Sequence, residues 1–272
     1  MALADGTPNS RLPVILTGLF ALIAIVRIVS TYSLTSQAFD EPCHVAAGIE
    51  LLDRHTYTLD PVHPPLARIA IGLPLYLAGE RYPTLPPLDH DITYNDVGNA
   101  VLYHSGHYLR NLTLARLGVL PFFLLATAIV FLWARREYGD LAGAMAAALF
   151  TTLPNVLAFS SIAYTDMVAA STQVALFLAF VEWLDKPARR SALWLGVAAG
   201  LALASKATTL IFFPAVVIAI AFGKWACTRT VAAQNTAPTQ ILRHTVRHIA
   251  IVAALAILIV WASYGFAVQH VR

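Results

Sequence analysis

The chain has 272 residues, 58% of them hydrophobic and 12% charged, with a formal charge of +3 and a mean hydropathy of +0.67. A soluble globular domain carries about 45–50% apolar and about 25% charged residues, so this composition excludes one and points to a chain that crosses a membrane several times. The two cysteines, Cys43 and Cys227, are far apart and fall on opposite sides of the membrane in the topology below, which excludes a disulfide framework and a zinc knuckle.

A membrane span needs about 20 apolar residues. In chain order the sequence predicts spans near 12–32, 112–133, 141–159, 166–184, 191–205, 208–223 and 248–267, about seven in all. The fifth and sixth are short and read equally as one broken hairpin around "ASKATT", which leaves the parity of crossings unchanged. The first stretch is longer than the apolar core of a secretory signal, and no small-residue cleavage site precedes "TSQAFDE", so it reads as a membrane anchor. Short loops rich in Lys and Arg stay on the cytoplasmic side. The turns "ARREYGD" and "DKPARRS" therefore face inward and the N-terminus is cytoplasmic. Most of the acids then face out: Asp40, Glu41, Glu50, Asp53, Asp60, Glu80, Asp89, Asp91, Asp96 and Asp166.

The long first outer loop, residues 33–110, is where extramembrane structure is expected. "HVAAGIELLDRH" sets Val45, Ile49 and Leu52 on one face against Glu50, Asp53 and Arg54, the spacing of a short amphipathic helix along the interface. "PPLARIAIGLPLYLAG" is too short to span and reads as an interfacial or re-entrant segment. "RYPTLPPLDHDITYNDVGNAVLYHSGH" reads as a loop.

Ionisable groups beside a membrane are expensive and invite a functional reading. Asp40-Glu41 follow the first span, Asp60 and His63 lead into Pro64-Pro65, and Asp166 opens the fourth span. Each has a plain structural alternative. Asp40 or Glu41 would suit a helix N-cap, Asp166 would do the same for the fourth helix, and Lys206 would snorkel to the interface. Glu41 and His44 share a helical face and could hold a divalent metal, although a lone E-x-x-H is weak evidence. The prolines place His63 and Arg68 on a rigid corner. Together these groups describe a polar pocket at one membrane face, without naming a reaction.

"FDEPCHVAAGIELL" followed by "HTYTLDPVHPPLARI" resembles the multi-spanning glycosyltransferases of GT-C fold that use lipid-phosphate sugars. These include the dolichyl-phosphate-mannose protein mannosyltransferases and the bacterial aminoarabinose transferases. "SIAYTDMVAASTQVALFLAF" and "GLALASKATTLIFFP" extend the likeness over about residues 12–225. The resemblance implies an all-α, polytopic fold, a single transmembrane module over 1–272, and an active site carried by the outer loop 33–110. It also implies that Asp40 is the catalytic base and that Asp166 orients the acceptor or steadies the first acid. Glu41, His63, Arg68 and Lys206 would surround the donor phosphate, with fixed cations stabilising the leaving group. Some relatives bind a divalent cation near this site, which here implies Glu41, His44 and His63 as ligands.

The expected activity is transfer of a sugar from a polyprenyl- or dolichyl-phosphate donor to an acceptor hydroxyl, in a bacterial plasma membrane. The sugar and the acceptor (protein, lipid or glycan) stay open, and nucleic acid is not an expected partner. Family members run to more spans and often end in an extracytoplasmic domain, so a fragment, a minimal enzyme and half of a split system are all open readings. The alternative is a non-catalytic relative that binds lipid-linked sugar or assists a partner subunit. A transporter would carry ionisable residues in mid-span, where this sequence offers only Arg27 and Arg116.

Overall fold

The computed structural model describes residues 11–86, 91–228 and 238–266, and these are helical or irregular with no strand among them. Asp89, which enters the charge asymmetry, lies outside the described residues. In order, the helices are α1 (Leu12–Thr31), α2 (Glu41–Ile49, prolonged by a π-turn at Glu50–Arg54), α3 (Leu66–Leu77), α4 (Tyr94–Leu102) and α5 (Tyr108–Leu117). There follow α6 (Leu120–Tyr138), α7 (Asp140–Thr152), α8 (Pro154–Ser160), α9 (Asp166–Asp185), α10 (Arg189–Ser205), α11 (Thr209–Thr228) and α12 (Pro238–Ser263).

Four stretches are long and apolar enough to cross a bilayer: Leu12–Thr31, Tyr108–Tyr138, Asp166–Asp185 and Thr245–Ser263. The α7–α8 pair makes a fifth if taken as one span bent by 64°. The bend has a local cause. Proline lacks an N–H and pushes the residue before it out of the helical region, and Leu153, before Pro154, sits at φ −63° and ψ 124°. The expected count of seven is not reached on these criteria. α10 has 17 residues, about 26 Å of helix against a hydrocarbon core of about 30 Å, and the apolar part of α11, Thr209–Ile220, is shorter still.

The exterior is that of an integral membrane protein. On α1, Leu12, Ile15, Leu19, Leu22 and Val26 form a stripe left half or more exposed, while Ala24 and Ile28 face the core. An apolar stripe this continuous is at home against lipid tails.

The stretch expected to form the first outer loop, residues 33–110, is folded rather than draped along a surface. α2 packs against both α3 and α4, and Val45, Ala46, Ala47 and Ile49 are fully buried. Small residues make these crossings close. A Cβ on Gly48 would lie 2.2 Å from the Arg68 carbonyl oxygen, and one on Gly98 would lie 2.0 Å from the Pro42 carbonyl oxygen. The polar face expected at Glu50 is buried instead. Its carboxylate accepts from the backbone N–H of Thr58 and Leu59 and from the Thr58 and Thr56 hydroxyls, so it organises the turn after α2. Asp53 and Arg54 do reach solvent, Asp53 accepting from the Tyr82 N–H and Arg54 lying over the Tyr82 ring. The stretch expected to be all loop contains α4, opened by a reciprocal Thr93–Asp96 capping box.

Replacing Gly98 by Ala should therefore separate α4 from α2 and cost about 1–3 kcal/mol or more. Thermal unfolding of the detergent-solubilised chain measures this, with Gly18→Ala, which meets open space, as the near-neutral control.

Candidate active site

The acidic pair after α1 is divided by the fold. Glu41 is fully buried and turned inward, against Arg116 of α5, itself fully buried. Arg116 Nε donates to Glu41 Oε1 and Nη2 to Oε2, both at 2.8 Å. Glu41 also accepts from the Ala163 N–H at 2.7 Å and the Ala38 N–H at 2.7 Å. Arg116 spends its remaining donors on the carbonyls of Tyr32, Thr35 and Ser36 and on the Thr35 hydroxyl. Every charge is matched, so the pair ties together the end of α1, the start of α2, α5 and the lead-in to α9.

Asp40 is exposed and stands at the N-cap position of α2, yet its side chain makes no capping bond. Among the described residues its carboxylate has no hydrogen-bond or ion-pair partner. Its backbone N–H donates to the Tyr164 hydroxyl at 3.3 Å. The capping reading is therefore met by neither acid: Glu41 closes the turn before α2 through Ala38, and Asp40 is left uncommitted.

The "DPVHPPLAR" corner is built around Asp60. Arg68 donates to Asp60 Oδ2 from Nε at 3.1 Å and from Nη2 at 2.8 Å, and His63 Nδ1 lies 2.8 Å from Oδ1. Arg68 is 1% exposed, so it holds the corner and does not itself face solvent. The His63 side chain is 52% exposed, and with Nδ1 held by Asp60 its Nε2 is the free edge. The Tyr57 hydroxyl donates to the His63 carbonyl at 2.9 Å. Asp166, at the first turn of α9, accepts from Lys206 Nζ at 2.9 Å across the α9–α10 hairpin.

His44 lies among these groups. Its ring meets Tyr164 edge-on at 5.6 Å, and its Nδ1 is buried without a partner. Burial lowers its pKa to about 3, Arg68 adding to that effect while Asp60 and Asp166 oppose it, so His44 is a neutral imidazole at physiological pH. Burial and then the Asp60 charge push the Cys43 thiol up to about 11, with Asp40 adding and Arg68 opposing. Cys43 and His44 thus stand within the fields of Asp40, Asp60, His63, Arg68 and Asp166.

The expected metal set is not assembled. Glu41 is consumed by Arg116 and two backbone amides, and of the three only His63 Nε2 and the His44 ring keep a free nitrogen. Cys43, His44 and Asp60 do bring ligand atoms within 4.8 Å of one another. Both Asp60 oxygens are already engaged by Arg68 and His63, so this group offers no free carboxylate to a divalent cation. No step below passes through a metal.

Beside this cluster an apolar cavity of about 750 Å³ runs between α10, α11 and α12. Pro64 and Ala207 line it, and each is the chain neighbour of a site residue, His63 and Lys206. Tyr264, also in the lining, meets Tyr57 edge-on at 5.6 Å. Asp60, Tyr164 and Arg116 had no assigned role in the sequence reading. The i, i+3 spacing of Asp60 and His63 was a local signal for the first of them. Partners of Tyr164 and Arg116 lie too far along the chain for any spacing rule.

The polytopic all-helical fold is that expected of a GT-C glycosyltransferase. Residues 110–264 match the family described as dolichyl-phosphate-mannose-protein mannosyltransferase. That is more than half of the chain, which belongs to this family. Among solved structures, the chain is similar to the S. cerevisiae protein O-mannosyltransferase Pmt1–Pmt2 complex bound to the sugar donor. The TM-score is 0.68 at 17% identity, over 96% of this chain and 34% of that one. The likeness shows the fold, and the chain spans about a third of that relative's length. No curated protein matches.

Glu41→Ala would leave the Arg116 guanidinium buried and unpaired, for which about 3–5 kcal/mol of destabilisation is expected. Thermal unfolding measures it, and Asp40→Ala, at an exposed and uncommitted position, should stay within about 0.5 kcal/mol of the unmodified chain.

Proposed function

We propose that the chain transfers a sugar from a dolichyl- or polyprenyl-phosphate donor to an acceptor hydroxyl at the extracytoplasmic face, with the N-terminus cytoplasmic and residues 33–110 forming the outer loop. The family and its yeast likeness suggest mannose as the sugar and a protein as the acceptor. The compact loops favour a bacterial plasma membrane.

The observation that carries this reading is the apolar cavity that opens between Pro64 and Ala207, the neighbours of His63 and Lys206. A lipid-phosphate sugar is an apolar tail ending in an anion, and this place offers apolar walls ending in donors. The tail lies against Leu203, Leu210, Ile257 and Val260, and the phosphate comes up between the His63 Nε2 edge and the Lys206 ammonium. Arg68 acts through Asp60 as a positioning residue, keeping His63 Nδ1 engaged so that Nε2 faces outward.

Asp40 then serves as base. The acceptor hydroxyl gives its proton to the Asp40 carboxylate as its oxygen attacks the anomeric carbon. The bond from that carbon to the phosphate oxygen breaks, and the lipid phosphate departs with the electron pair. A carboxylate of ordinary basicity is sufficient because the leaving phosphate needs little assistance, and cations fixed beside it stabilise charge where it develops. Asp166 holds Lys206 in reach of the phosphate and presents its other oxygen toward the acceptor. Glu41 contributes by anchoring the peptide that carries Asp40.

Asp40→Asn is expected to lower sugar transfer from dolichyl-phosphate-mannose about 10²- to 10⁴-fold, with unfolding temperature unchanged. Undiminished transfer by the variant would remove Asp40 from the role of base. Retention of donor with no transfer by the unmodified chain would favour the reading as a lipid-linked-sugar binding or partner subunit.

A further inference from the structure

At the end of the bundle opposite the candidate active site lies a second cavity, this one polar. α9 begins at Asp166 in the active site and ends at Asp185, and α10 begins at Arg189 and ends beside Lys206. Between these far ends and the last turn of α6 lies a space of about 620 Å³, lined by Arg136, Glu182, Lys186, Arg190, Ser191 and Trp194.

Its charges are unevenly settled. Arg136 gathers the nearby acids, pairing with Asp185, with Glu137 at 3.4 Å and with Glu182 at 3.5 Å. Among the described residues, Lys186 and Arg190 have no carboxylate partner. Two unneutralised cations thus face one cavity whose only acid, Glu182, is already shared with Arg136. The remaining wall is Trp194, 58% exposed and next to the exposed Leu193. An indole in that position belongs at the boundary between headgroups and acyl chains. Orientation by positive charge requires only the charges; it does not require a cavity between them with an indole at its edge.

We propose that this cavity seats the phosphate headgroup of an anionic membrane phospholipid, held by Lys186 and Arg190, with Trp194 against the glycerol and upper acyl region. A freely soluble anion would have use for the two cations and none for the exposed indole and leucine beside them. Basic pockets between spanning helices are suited to such headgroups. The site is separate from the transfer reaction and does not rest on it.

Native mass spectrometry of the full chain in detergent, offered phosphatidylglycerol and phosphatidylcholine with identical acyl chains, tests this. Phosphatidylglycerol should be retained about 10- to 30-fold more strongly, as two Lys/Arg contacts to an anionic headgroup allow. Lys186→Gln/Arg190→Gln should abolish that preference, whereas Lys186→Arg/Arg190→Lys should restore it and Arg81→Gln, in the first outer loop, should leave it intact. Restoration by the charge-conserving pair separates loss of the site from loss of the fold. Equal retention of the two lipids, or full retention of phosphatidylglycerol by the glutamine pair, would overturn the proposal. Displacement of the lipid by an equal concentration of inorganic phosphate would also overturn it, marking a site for free anions.

Discussion

The buried Glu41–Arg116 pair is the constraint on which the rest of this structure depends. A fully buried charge is tolerated only when its partner and its remaining hydrogen bonds are supplied, and here both ions are satisfied by four segments of chain. The pair fixes where α1 ends, where α2 begins, how α5 approaches them, and where the peptide before α9 passes. It does not follow that the pair adds net stability over an apolar alternative of the same shape. Its contribution is registration, since any other arrangement of these segments would leave one of the two charges buried alone.

The active-site geometry follows from that registration. With Glu41 locked inward, the preceding residue must turn outward, and the Asp40 carboxylate is left with no bond of its own. Anchoring Ala163 through the same carboxylate brings Tyr164 to His44. The second buried carboxylate at this face, Asp60, repeats the device on a smaller scale: it neutralises Arg68 and sets His63 with one ring edge free. Two committed acids, Glu41 and Asp60, thus accompany two free edges, the Asp40 carboxylate and His63 Nε2, so that in the proposed site the rigid and the reactive parts are separate groups.

Much of this was legible in the sequence. Composition and hydropathy reveal a helical membrane protein, and the chain motifs resembled the family to which residues 110–264 prove to belong. Asp60 and His63 could be grouped because they are three residues apart. The division of labour between Asp40 and Glu41 could not be read, because adjacent acids look equivalent until Arg116, 75 residues away from Glu41, claims one of them. The same limit applies to Asp166 and Lys206, 40 residues apart. Each was a candidate separately, and only the α9–α10 hairpin makes them a pair. Glu50 was misread for a related reason. Amphipathic spacing assigns polar residues to solvent, whereas a carboxylate surrounded by four donors is stable in the interior. The α4 helix was overlooked although Thr93 and Asp96 carry a capping-box spacing, because prolines and acids around it read as loop.

In the proposed reaction Asp40 acts on the acceptor's proton and takes no part in holding the donor. The most direct measurement is the affinity of dolichyl-phosphate-mannose for the Asp40→Asn chain, taken alongside its turnover. The account predicts a Kd within about twofold of the unmodified chain together with lost transfer, since only an interaction confined to the transition state has been removed. A Kd weakened in proportion to the fall in transfer would contradict it and would make Asp40 a donor-binding group instead.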